Sequence, residues 1–152
     1  MRTRLCFWVL LLVPLAIYTP AILQDYGLRD DYSHIREARE EPGKLVRFTS
    51  SQGRPLYGAL LETSISQIST VDELRWLRLA SVALIIGVGM ALWRQLDNAG
   101  WQEVDAAALG LAVTFLPASQ IAAGWAIGWP WPLSILLGIA GYAAVELEIE
   151  KG

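Results

Sequence analysis

Residues 5–23 read LCFWVLLLVPLAIYTPAIL, a run without a single charged side chain. A helix needs roughly 20 apolar residues to cross the hydrocarbon core of a bilayer, so this stretch predicts a membrane-spanning helix. Arg2 and Arg4 precede it, and a cleavable signal peptide has the same positive start. The run exceeds the roughly 7–15 apolar residues of a signal peptide and ends in a poor cleavage site, which favours an uncleaved anchor.

The composition of the whole chain also indicates a membrane protein. Hydrophobic residues make up 54% of its 152 residues and charged residues 18%, against roughly 25% charged residues in a soluble domain. The charges cluster, and long apolar stretches separate the clusters, which excludes disordered, collagen-like and coiled-coil proteins. A net charge of −3 without a basic, aromatic-rich patch argues against a nucleic-acid partner.

Three further apolar stretches predict three further spans. The second span covers residues 77–92 within a helix predicted over 71–94, which a Thr70–Glu73 capping box begins. Arg78, near its start, is expected to snorkel to the membrane interface. The third span, 104–127, is predicted to kink at Pro117, and the fourth covers 129–145 after a turn rich in tryptophan and proline.

The fold prediction is an all-α integral membrane protein with about four transmembrane helices. Residues 1–23 form the first, residues 24–70 a long extracytoplasmic loop with short interfacial helices, and residues 71–152 the other three with a short C-terminal tail. The positive-inside rule, applied to Arg2 and Arg4, places the N-terminus in the cytoplasm, and four crossings return the C-terminus to the same side. The expected location is the bacterial inner membrane.

The loop holds more than half of the charged side chains and the candidate chemistry. A short helix is predicted over residues 32–41, and a second helix is predicted to begin at Pro55. Asp30 and Asp31 come just before the first of these helices. Adjacent carboxylates repel, so one of them is a candidate proton acceptor, although helix capping explains the same pair.

The second candidate is the run Gly53-Arg54-Pro55-Leu56-Tyr57. An arginine between a glycine and a helix-starting proline has a defined position, and arginine binds phosphate through a bidentate fork. An arginine at the membrane interface, paired with a lipid headgroup or a carboxylate, is the alternative interpretation. The single cysteine, Cys6, and the single histidine, His34, predict no metal site, and no cofactor is predicted.

Two motifs in this order, Arg29-Asp30-Asp31-Tyr32 and Gly53-Arg54-Pro55-Leu56, resemble the beginning of a membrane glycosyltransferase of the GT-C superfamily, with GtrII-like glucosyltransferases of bacterial O-antigen the nearest similarity. The resemblance covers about residues 1–95. It implies transfer of a sugar, with inversion, from a polyprenyl-phosphate carrier to a glycan acceptor of the cell surface, in the lipopolysaccharide of the cell envelope.

The resemblance also implies roles for individual residues. Asp30 or Asp31 would be the catalytic base, and Arg54, with Tyr57 and Arg29, would bind the substrate. Enzymes of this superfamily typically have eight or more spans, so this chain is expected to be an N-terminal portion or a truncated relative that is inactive alone.

The alternative hypothesis is a small non-catalytic four-helix membrane protein that acts as an assembly partner or accessory subunit of another membrane protein. It predicts close helix packing through small residues at Gly87, Gly89 and Gly110 and in the run 138–141. A transporter or channel has little support, because the spans carry almost no ionisable residue at mid-depth.

Overall fold

Eight helices and one short 3₁₀ turn make up the regular structure of residues 2–149, the range that the computed structural model describes; the side chains of Arg2, Arg29 and residues 147–149 are not described. The helices are α1 (Arg2–Leu23), α2 (Arg29–Glu40), α3 (Lys44–Ser51), α4 (Pro55–Ile65), α5 (Leu74–Asn98), α6 (Glu103–Val113), α7 (Pro117–Gly124) and α8 (Pro130–Ile149). The 3₁₀ turn, Ala126–Gly128, joins α7 to α8.

Three helical segments are long and apolar enough to cross a membrane: Thr3–Leu23, Leu74–Asn98 and Ala126–Glu146. The pair α6 and α7 passes the same test when taken together, but its halves are bent by 53° relative to one another. The protein is therefore all-helical in the described range, with three apolar helices of membrane length, or four if the bent pair is one span. This confirms the predicted fold class at that level.

The break between α6 and α7 follows from Pro117, which has no N–H to donate to the carbonyl four residues earlier. Side chains bond the carbonyls at the break instead. Ser119 Oγ donates to the Val113 carbonyl at 2.8 Å, and Gln120 Nε2 donates to the Phe115 carbonyl at 2.9 Å. A broken helix inside a membrane requires such partners, since lipid offers none. The kink predicted at Pro117 is confirmed as this break.

Helix α5 packs against α1, α6, α7 and α8. Its closest approach is to α6, where a methyl group on Gly89 would lie 2.7 Å from the Gly110 carbonyl oxygen. A methyl group on Gly110 would lie 2.5 Å from the Gly89 carbonyl oxygen. The predicted small-residue packing thus occurs between α5 and α6. At Gly138 and Gly141 no atom of the described residues lies within 4 Å of the added methyl position.

The loop between α1 and α5 is more helical than predicted. Helix α4 begins at Pro55 as expected. The helix predicted over 32–41 is α2, but it begins three residues earlier, at Arg29, so Asp30 and Asp31 lie in its first turn and not before it. Helix α3 was not predicted; it packs on α4 because Gly58 leaves room for the side chain of Thr49.

The predicted second span, 77–92, lies within α5, but the helix itself begins at Leu74, three residues after the predicted start at residue 71. The Glu73 carboxylate does accept from the Thr70 N–H at 3.2 Å, as a capping box requires. The Glu73 N–H, however, donates to the backbone carbonyl of Thr70 at 3.2 Å and not to its hydroxyl. Only half of the predicted box forms, and turns occupy the residues before Leu74.

Candidate functional site

A buried arginine joins α5 to the connection between α1 and α2. The Arg78 side chain has 0% of its surface exposed. Its Nη1 donates to the Gln24 carbonyl at 3.0 Å, its Nη2 donates to the Tyr26 carbonyl, and its guanidinium carbon lies 3.8 Å from the centre of the Tyr26 ring. Backbone carbonyls just beyond the end of α1 and an aromatic face therefore hold this charge inside the protein, and the position of Arg78 relative to the membrane interface stays a prediction.

Asp31, the second residue of the acidic pair, is also completely buried. Its Oδ2 accepts from the Leu28 N–H at 2.9 Å and so caps the first turn of α2. Burial raises the pKa of the Asp31 carboxyl. The Leu28 N–H, the Arg78 charge and the Ile127 amide oppose this rise. The other carboxylate oxygen, Oδ1, is buried without a hydrogen-bond partner among the described residues.

Asp30, the first residue of the pair, has an exposed side chain. Its backbone carbonyl accepts from Ser33 Oγ at 3.0 Å and lies 2.7 Å from His34 Nδ1, so its peptide group is held within α2. The structure therefore separates the two carboxylates, one inside the protein and one at its surface. Arg29 is the first residue of α2, and its side chain lies outside the described part of the chain.

Arg54 lies at the edge of a groove of about 340 Å³ between α4 and the start of α8. Its side chain is exposed, and it immediately precedes Pro55 at the first turn of α4. Tyr57, Trp131 and Ser134 also line this groove, together with leucines from both helices. We call it the Arg54 groove. It combines one cation at its rim with a mostly apolar wall.

Tyr57 connects the Arg54 groove to the acidic pair. Its hydroxyl donates to the Ile127 carbonyl at 3.2 Å, while the amide of the same Ile127 acts on the Asp31 carboxylate. Burial raises the pKa of Tyr57, and a hydrogen bond with Trp131 and the Arg54 charge oppose the rise. Tyr57 thus lines the groove and also bonds the 3₁₀ turn Ala126–Gly128.

Three tyrosine hydroxyls donate to carbonyls of the segment that runs from the break to this turn. Tyr18 donates to Thr114 at 2.6 Å, Tyr26 to Gly124 at 2.8 Å and Tyr57 to Ile127. Each tyrosine comes from a different part of the chain before α5. The backbone from the break to the 3₁₀ turn is therefore held at three points by side chains of α1, the α1–α2 connection and α4.

The sequence did not predict that Arg78 holds the α1–α2 connection, and Tyr26 was not among the predicted site residues. The available signal was an arginine within an otherwise apolar span, but an arginine near the end of a span is equally typical of an interface residue. Among the residues with described side chains, no group of three or more His, Cys, Asp or Glu is placed to hold a metal ion.

Comparison of the chain with protein-family models, with curated proteins and with solved structures gave no match.

Proposed function

We propose that this chain is the N-terminal portion, or a truncated relative, of a GT-C membrane glycosyltransferase. The enzyme moves a sugar from a polyprenyl-phosphate carrier to a glycan acceptor of the cell surface, on the extracytoplasmic side of the bacterial inner membrane. The motifs around Asp30 and Arg54 suggested this class, and the Arg54 groove is the single observation that supports it most.

The groove has the chemistry that a polyprenyl phosphate needs. The Arg54 guanidinium offers a fork of donors to a phosphate, and the fork is exposed. The leucines and Trp131 beyond it offer an apolar wall for the isoprenoid chain. A charged rim beside an apolar wall at the end of a span suits a lipid whose headgroup lies at the membrane interface.

In the proposed reaction, the oxygen of an acceptor hydroxyl attacks the anomeric carbon of the donor. The bond from that carbon to the phosphate oxygen breaks, and polyprenyl phosphate leaves with the bonding electrons. A carboxylate of the Asp30–Asp31 pair takes the hydroxyl proton. Arg54 stabilises the negative charge of the leaving phosphate.

The proposal requires that the bent pair α6 and α7 crosses the membrane as one span. Both termini then lie in the cytoplasm, and helices α2 to α4 lie at the outer interface. A C-terminal green fluorescent protein fusion is expected to fluoresce, and a C-terminal alkaline phosphatase fusion is expected to be inactive. The opposite pattern would make the pair a re-entrant loop and would put the C-terminus outside.

Lipid binding tests the function directly. Purified protein in detergent is titrated with polyprenyl phosphate, and native mass spectrometry measures the fraction of protein that carries the lipid. Arg54→Gln is expected to weaken binding at least about tenfold, since hydrogen bonds to charged groups contribute roughly 1.5–3 kcal/mol. Arg47→Gln is the matched control, because Arg47 is exposed on neighbouring α3 but does not line the groove.

If Arg54→Gln and Arg47→Gln bind the lipid as well as the unchanged protein, the groove is not a phosphate site and the proposal fails. A transfer assay with a polyprenyl-phosphate sugar and the protein in its native membrane then checks the reaction. Replacing both Asp30 and Asp31 by Asn is expected to abolish transfer while membrane insertion persists.

The second candidate is a non-catalytic four-helix assembly partner. This candidate predicts that charged side chains of the loop pair with one another and not with a substrate. Lys44 does so, because its Nζ lies 3.1 Å from Glu37 Oε1 and 2.9 Å from Glu41 Oε1. Stable co-purification with a larger membrane protein, together with unchanged transfer after the double Asn substitution, would favour this candidate over the enzyme.

A further inference from the structure

The connection between α1 and α2 leads into the helix turn that carries the acidic pair, and it is held from two directions. From α5, the single Arg78 guanidinium bonds the carbonyls of both Gln24 and Tyr26. From the other side, the Tyr26 hydroxyl donates to the Gly124 carbonyl at the end of α7. The backbone that enters α2 is therefore fixed between a span and the broken helix, four residues before Asp30.

The first turn of α2 is then fixed by Asp31. Its Oδ2 accepts from the Leu28 N–H, and its charge interacts with that of Arg78. A general base must approach its proton to within about 2.6–3.2 Å. Asp31 has no exposed surface with which to meet an acceptor hydroxyl. Asp30 is one position earlier on the helix, about 100° around its axis, and its side chain is exposed.

We propose that Arg78 is a positioning residue for the acidic pair: it keeps Asp31 inside the protein as the anchor of α2, so that Asp30 is the carboxylate presented to the acceptor. This inference rests on the proposed function. The residue type fits the task, because only the planar arginine fork can serve two carbonyls and stack on a ring at once. Lysine keeps the charge but loses that geometry.

The test combines chemical labelling with substitution. Carboxyl groups of the purified protein are labelled with a water-soluble carbodiimide and glycine ethyl ester, and tandem mass spectrometry measures each site. In the unchanged protein, Asp30 is expected to be labelled and Asp31 protected. In Arg78→Lys, labelling of Asp31 is expected to rise at least fivefold, while that of Glu62 stays low.

Two controls separate local release of the connection from general unfolding. Glu62 is half-buried and accepts from the Val46 N–H at 3.1 Å at the start of α3, so it reports on loop integrity elsewhere. Arg75→Lys changes an exposed arginine one turn earlier on α5 and is expected to leave both aspartates as they were. Unchanged protection of Asp31 in Arg78→Lys would overturn the positioning role.

The transfer assay supplies a second measurement. Arg78→Lys is expected to lower kcat about 10- to 100-fold, as misplacement of a catalytic group does, and to leave KM for the donor lipid unchanged because the Arg54 groove is untouched. A raised KM with normal kcat would contradict the inference. Asp30→Asn is expected to abolish transfer, and Asp31→Asn to retain measurable transfer; the reverse result overturns it even if Arg78→Lys does not fold.

Failure of the inference is distinguishable from failure of the proposed function. If the unchanged protein neither binds the lipid nor catalyses transfer, the proposed function is wrong. The labelling experiment still decides in that case whether Arg78 holds Asp31 inside the protein. If Asp31 is labelled in the unchanged protein, the inference about Arg78 is wrong, while the proposed lipid binding at Arg54 is unaffected.

Discussion

Two arginines of this protein have opposite surroundings. Arg78 is fully buried, and the peptide carbonyls of the α1–α2 connection accept its hydrogen bonds. Arg54 is exposed at the rim of a mostly apolar groove. The two terminal nitrogens of Arg78 bond the chain itself, so this charge serves the fold. The second presents its donors at the surface, where a ligand can use them. In an apolar protein, the groups around a charge decide its role.

The largest expected effect comes from exchanging Arg78 for an apolar residue of similar length. Arg78→Met leaves the carbonyls of Gln24 and Tyr26 without their donor and Asp31 without its nearby positive charge. Leaving a buried acceptor without its donor costs about 1–3 kcal/mol, so the loss of two such bonds is expected to lower the free energy of unfolding by about 2–6 kcal/mol. Thermal unfolding in detergent, followed by circular dichroism, measures it.

Arg54→Met is the matched change on the other side of the comparison. Because Arg54 is exposed, the free energy of unfolding is expected to change by less than about 0.5 kcal/mol. Equal losses of stability in the two variants would contradict the claim that Arg78 serves the fold and Arg54 does not.

The glycines give a second comparison of the same kind. Gly110→Ala would put a methyl group 2.5 Å from the Gly89 carbonyl oxygen, so α5 and α6 must separate, at a cost of about 1–3 kcal/mol. Gly138→Ala on α8 meets no atom within 4 Å and is expected to stabilise the helix by about 0.5–1 kcal/mol. The thermal midpoints of the two variants should therefore shift in opposite directions, and shifts of the same sign would contradict the packing described.

The long apolar helices were predictable because they depend on a simple local property, the length of an apolar run. The same holds for Pro55 at the start of α4 and Pro117 at the break, where a missing N–H acts within a few residues. Such features need no knowledge of distant neighbours. They account for the parts of the fold that the sequence predicted well.

The surroundings of Arg78 were not predictable because its partners are more than 50 residues away in sequence, at Gln24 and Tyr26. Nothing local distinguishes an arginine that reaches the interface from one that bonds backbone carbonyls. The acidic pair shows the same limit: capping and proton acceptance were both open for Asp30 and Asp31. Asp31 is buried and Asp30 exposed because of how the α1–α2 connection packs on α5.

A smaller effect is expected from the tyrosine hydroxyls. Tyr18→Phe removes the donor to the buried Thr114 carbonyl at the break and is expected to cost about 1–2 kcal/mol, since an acceptor is left without a partner. Tyr142→Phe removes a hydroxyl that bonds Glu146 on the exposed face of α8 and is expected to cost less than about 0.5 kcal/mol. Equal midpoints for the two variants would argue that the break does not need Tyr18.

The smallest expected effect is the pH dependence that Asp31 confers. Burial raises the pKa of its carboxyl in the folded state, against the opposing charges of Arg78 and His34. The folded protein then binds the Asp31 proton more tightly than the unfolded chain. Stability is therefore expected to fall as pH rises from the ordinary pKa of an aspartate through the raised folded pKa, and to level off above it.

Asp31→Asn is expected to remove this fall, because the amide oxygen still accepts from Leu28 but no longer titrates. The exposed Asp72 supplies the control of opposite sign: its hydrogen bond with the Thr70 hydroxyl lowers its pKa, so its contribution is lost as pH falls through that lowered value. Unfolding midpoints measured across the acidic range should thus change in opposite senses in Asp31→Asn and Asp72→Asn. A pH profile of Asp31→Asn that matches the unchanged protein would mean that the buried carboxylate does not titrate differently on folding.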